Sequence, residues 1–152
     1  MNLHFWALAL HLAGVVVWVG GMFFAYVCLR PAAVEVLEPP LRLTLWARVF
    51  DRFFPAVWVT IALILGSGFA MAWRFGSNLW PHHVLAMLGL GGLMMLVFFD
   101  VFFLRFPRLK RAVQEKNWPA GGAALGMIRQ RVGLNLLLGA MTVAVATLGR
   151  GL

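Results

Sequence analysis

Residues 3–24 read "LHFWALALHLAGVVVWVGGMFF", a stretch with no charged side chain that nevertheless holds two histidines, His4 and His11. An α-helix crosses hydrocarbon in about 20 apolar residues, and this run is long enough. It shows no alternation and is roughly twice the length of about 10 residues expected of a barrel strand. No basic segment precedes it, and it outlasts the roughly 7–15 apolar residues of a signal-peptide core, so it is expected to be retained as a helix.

Three more charge-free windows follow, at residues 53–73, 75–99 and 132–149. The 152 residues are 62% hydrophobic and only 12% charged, a balance that no soluble core of this length requires. The expected fold is an all-α integral membrane protein, a single four-transmembrane-helix bundle with helices at about 3–29, 53–74, 81–104 and 120–149. Arg30 and Pro31 should end the first helix. Residues 34–54 mix charges with apolar side chains after Pro39 and Pro40 and suggest an interfacial stretch, with Pro55 kinking the entry to the second helix. Pro81 suits the first turn of the third. Beyond Trp118 and Pro119 one long helix is expected, amphipathic as far as Arg131 and membrane-embedded after it. No internal repeat or soluble domain is visible. The lone Cys28 permits no internal disulfide and reads as a small apolar helix residue.

The net charge of +8 is distributed unevenly. Arg30, Arg42, Arg48 and Arg52 lie around the first connection. Arg105, Arg108, Lys110, Arg111, Lys116, Arg129 and Arg131 lie around the third, leaving only Arg74 and Arg150 on the other side. The positive-inside rule then puts both odd connections in the cytoplasm and both termini in the periplasm of a bacterial inner membrane. The basic residues set orientation and touch anionic lipid headgroups, a simpler reading than a nucleic-acid surface.

Ionisable groups inside a membrane usually face the bundle and mark function. His4 and His11, seven residues apart, share one helix face about 10.5 Å apart along the axis. Trp18 continues that stripe. Ala7, Gly14 and Gly21 form a neighbouring small-residue stripe that lets a helix or a flat cofactor approach. His82 and His83 open the third helix about 100° apart, so one of them should point inward. Asp100 lies in phase with His82, whereas Met87 and Met94 follow His83, and both choices stand. Helices one and three start on the same side, so all four histidines belong to the outer third. With Trp6 and Trp80 as interfacial anchors, His11 lies about 7.5 Å and His83 about 4.5 Å below that level. His11 and one of the pair can share a ligand, and His4 is a substitute. Imidazole suits copper, zinc and haem iron. The methionines fit ordinary packing, although the outer ones, Met71 and Met87, carry thioethers suited to Cu(I). Asp100, Arg105, Arg131 and Asn135 should form an ion-pair and hydrogen-bond cluster near the cytoplasmic side, with a proton or quinone contact as the alternative. No catalytic serine–histidine–acid set, phosphate loop or carboxylate pair is present.

The stretches "LHLAGVVVWVGGMFF", "HHVLAMLGLGGLMMLVFFDVFF" and "IRQRVGLNLLLGAMTVAVATLGR" resemble the copper resistance protein D (CopD) family. The histidine and Trp-Gly pattern of the first helix is also similar, more weakly, to HemJ-type membrane haem proteins. The CopD resemblance implies a four-helix inner-membrane unit in copper uptake or homeostasis, and it carries onto His11 and His83 as metal ligands. Larger CopD relatives have additional helices. Two functions are therefore carried forward. In one, His11 with His83 or His82, assisted by His4 and Met87, receives copper from the periplasm or from a periplasmic copper protein. In the other, His11 and a third-helix histidine hold haem b beside Gly14, and electrons pass between a quinone and a periplasmic acceptor. An assembly subunit without a cofactor is the third class, and the sequence admits a homo-oligomer.

Overall fold

The structure, a computed structural model, describes residues 3–73 and 80–149. Arg74, the connection after it and Arg150 lie outside these residues. Among the described residues the fold is all-helical. Helix α1 (residues 3–36) runs as Leu3–Phe23, a π-helical Phe24–Leu29, and Arg30–Val36. Helix α2 is Pro39–Ala72. Helix α3 (residues 82–114) runs as His82–Phe99, a π-helical Asp100–Arg105, and Phe106–Gln114, and helix α4 is Trp118–Leu148. All four are long and apolar enough to cross a membrane, which makes this a multi-pass membrane protein. Phe5, Leu12, Val16, Leu96 and Leu137 face outward, as lipid-facing side chains do.

The helices are longer than the charge-free windows. Their 31–34 residues reach about 46–51 Å at 1.5 Å per residue, beyond the roughly 30 Å of hydrocarbon and past the roughly 40–45 Å of the whole bilayer. The extra turns lie at the arginine-rich end. The expected boundary at Arg30 is thus corrected to Val36, and that at residue 104 to Gln114. In both helices a π turn stands immediately before the break that proline should make. The Arg30 N–H reaches back to the Ala25 carbonyl and the Phe106 N–H to that of Val101, each one residue further than in an α-helix. Pro31 and Pro107 follow directly. A turn widened ahead of the ring gives the proline room, so the helix passes through it.

The expected interfacial segment is also corrected: residues 39–52 are the first turns of α2. Pro39 and Pro40 open the helix, where proline has no N–H to lose. From there Leu43, Trp46, Ala47, Phe50, Phe54, Val57 and Ile61 form one buried stripe at spacings of three and four, uninterrupted by the outward-facing Pro55. Helix α4 begins two residues earlier than expected. The Asn117 carboxamide accepts from the Ala120 N–H at 3.2 Å, while Lys116, at φ 54°, ends α3 in the left-handed region.

Helix α1 packs mainly on α2, and α3 on α4. Small residues allow this: a Cβ on Gly21 would strike the Phe53 ring, and one on Gly139 would meet Val19 and Met94. The two hairpins are joined at the arginine-rich half by aromatic rings. Phe54 is the hub, with ring centroids 5.0 Å from Phe50, 4.9 Å from Phe106 and 5.6 Å from Phe98. Replacing Phe54 by Ala should lower stability by about 3–5 kcal/mol, the range for an emptied aromatic core position. Thermal unfolding in detergent micelles checks this, with the outward-facing Phe5→Ala expected to leave the midpoint unchanged.

Candidate functional site

Helix α1 holds His11 against α2. Its Nδ1 lies 3.1 Å from the Ile64 carbonyl oxygen and 3.1 Å from Ser67 Oγ. The Ser67 hydroxyl gives its one proton to a carbonyl of its own helix, that of Leu63 or Ile64. Both neighbours of Nδ1 are therefore acceptors, so Nδ1 carries the ring proton and Nε2 keeps a lone pair. The ring lies over Gly68, where a Cβ would come within 3.4 Å of Cε1. An imidazole fixed through one nitrogen, with the other free of protein partners among the described residues, is set up as a ligand.

The small-residue stripe beside His11 is not open. A Cβ on Gly14 would lie 2.8 Å from Ile64 Cγ1 and 3.3 Å from the Thr60 carbonyl oxygen, and Ala7 is buried. Helix α2 fills the space that a flat cofactor would need, because glycine serves here to bring two backbones together.

At the start of α3, His82 is exposed and His83 half-buried. A Cβ on Gly149 would lie 2.9 Å from His83 Cβ, so His83 packs on the last residues of α4. Met87 is half-buried and Met94 fully buried, which makes the His83 side of α3 the inward one. His4 is exposed, with its ring edge-on to Phe5 at 6.2 Å. The four histidines thus share the end of the bundle opposite the described arginines, but His11 turns to α2 and His83 to α4. Among the described residues no three His, Cys, Asp or Glu side chains are grouped to hold a metal ion.

The expected polar cluster forms at the other end of the bundle. Asp100 accepts a hydrogen bond from Arg105 Nε at 3.3 Å and forms an ion pair with Arg131, whose Nε lies 3.1 Å from Oδ2. The π turn is what brings residue 105 back over residue 100. Arg105 Nη1 also lies 2.9 Å from Met127 Sδ. Asn135 does not join: its Oδ1 is buried and has no hydrogen-bond partner among the described residues. Asp100→Ala should leave two guanidiniums without their carboxylate and cost about 1.5–3 kcal/mol. A double-mutant cycle with Arg131→Ala, read by thermal unfolding, should give a coupling of about 0.5–3 kcal/mol, and additivity would deny the pair any weight.

Ser67 is a partner of His11 that helical phase along single helices does not reveal. The signal was present in "LGSGF", a lone hydroxyl between two glycines in an otherwise apolar run.

Residues 47–148 match the family model described as "CopD: Copper resistance protein D". The match takes in Ser67, His82, His83, Met87, Asp100 and Arg131, while α1 with His4 and His11 lies outside it. No curated protein and no solved structure matches the chain.

Proposed function

This chain belongs to the copper resistance protein D family, and from that premise we propose that it takes up or passes on copper through the histidine end of its bundle, as a protein of the bacterial inner membrane. A copper-related membrane function follows from the family. The ligand set and direction are our reading. The observation that carries it is the anchoring of His11: with Nδ1–H given to Ile64 and Ser67, the Nε2 lone pair is directed and its tautomer fixed, as in established metal-ligating histidines. Copper is the cargo in this reading. A neutral imidazole is a good donor to it, and thioethers such as Met87 suit its reduced form. His83 supplies a second imidazole at the same end of the bundle, and the exposed His4 and His82 are points of first capture from a periplasmic copper protein.

Orientation supports the assignment. The arginine-rich connections are drawn to the cytoplasm and the histidine end to the periplasm. Alkaline phosphatase fused after residue 152 should be active in whole cells, and a fusion at the connection between α1 and α2 should be inactive; the reverse pattern would put the histidines on the wrong side for periplasmic copper.

The site itself is tested by titrating purified protein with Cu(I) against a competing chelator. His11→Ala should abolish stoichiometric binding. Ser67→Ala keeps the ligand but loosens its support, and should weaken binding by about 10-fold or more. Wild-type protein that binds no copper, or a His11→Ala variant that binds it unchanged, would remove this reading.

A further inference from the structure

The arginine-rich end holds a feature that the copper reading does not use. Between α1, α2 and α4 lies a cavity of about 210 Å³. Part of its lining is apolar or aromatic, including Tyr26, Trp46 and Ile128, and three arginines line it as well, one from each helix: Arg30, Arg42 and Arg129. No carboxylate is among the lining residues. Among the described residues the ion pairs are those of Arg105, Lys110 and Arg131, so none of these three arginines is neutralised. Glu35 and Glu38, close by in sequence, are exposed and absent from the lining. Arg30 lies 5.5 Å over the Tyr26 ring, which holds its guanidinium at the cavity.

Three like charges brought together from three helices repel one another, and an anion relieves that repulsion. The guanidinium fork matches phosphate oxygens in geometry. The three arginines stand near the arginine-rich ends of helices that outrun the hydrocarbon, hence at headgroup depth. The cavity is smaller than the roughly 300–1,000 Å³ of a small-molecule pocket and suits a headgroup whose acyl chains stay in the bilayer. Its lining includes Gly122 and Gly126, where an added Cβ would meet nothing within 4 Å.

We propose that the cavity between α1, α2 and α4 binds the phosphate headgroup of an anionic phospholipid, with Arg30, Arg42 and Arg129 as its ligands. The site is independent of copper, and its test reads lipid alone. The protein is reconstituted in nanodiscs of phosphatidylglycerol and phosphatidylcholine, released, and weighed intact by native mass spectrometry. Wild-type protein should retain one phosphatidylglycerol in preference to phosphatidylcholine. Arg42→Gln and Arg129→Gln should each lower retention by about tenfold, the loss of one charge-assisted hydrogen bond. Gly126→Leu should block the cavity without touching an arginine, and as a glycine replaced in a helix it should fold at least as well as wild type. The exposed Arg108→Gln, outside the cavity, should change nothing. Equal losses from Arg108→Gln would reduce the effect to general surface charge. Retention unaffected by Gly126→Leu would place the lipid elsewhere, and displacement by millimolar inorganic phosphate would make this a site for the free ion. Each of these three results overturns the proposal.

Discussion

Within hydrocarbon a backbone N–H or C=O has no water to turn to, so each must be paired inside its own helix. Pro31, Pro55 and Pro107 stand in the way of that requirement, and much of the structure follows from how it is met. Two of them are crossed by a π turn placed just ahead, at Phe24–Leu29 and Asp100–Arg105. The first and third helices therefore continue past their prolines and carry their ends beyond the hydrocarbon. Beyond Pro107 the continued helix buries Leu109 and carries Lys110 to its ion pair with Asp51, and beyond Pro31 it buries Ala33.

The second π turn has a further effect. It returns Arg105 to Asp100 while Arg131 arrives from α4, so one carboxylate holds two guanidiniums at the junction of the helices. The first π turn sets Tyr26 against Gly133, where a Cβ would lie 3.1 Å from the ring. The two widened turns thus supply contacts to the same stretch of α4. The two π turns themselves stand at the same offset from their prolines, each ending two residues before Pro31 or Pro107.

Chemistry is divided between the two ends of the bundle. At the histidine end, His11 is held by a backbone carbonyl and a serine. The other end has a surplus of arginine, part of it paired and part of it collected around a cavity. Under the proposed copper and lipid readings, such a division keeps the guanidiniums away from the imidazoles that would receive another cation.

The sequence by itself determined the membrane class and the four spans, because unbroken apolar length is a property of consecutive residues. It also set the histidines apart from most of the arginines, and it marked Asp100, Arg105, Arg131 and Asn135 as a cluster, of which the three charged residues meet and Asn135 does not, since charge and helical phase can be counted along the chain. The helices run past the ends that proline and charge mark at Arg30, residue 53 and residue 104: at residue 53 a buried stripe of spacing three and four in residues 43–61 signals the longer helix, whereas at the other two the π turns that admit Pro31 and Pro107 leave no such signal. What only the tertiary structure decided was the partner of each polar group. Ser67 and the Ile64 carbonyl meet His11, Ile64 fills the space beside Gly14, and His83 turns to α4. Those outcomes depend on which helices lie side by side and in what rotation, and that choice rests on packing among residues far apart in the chain.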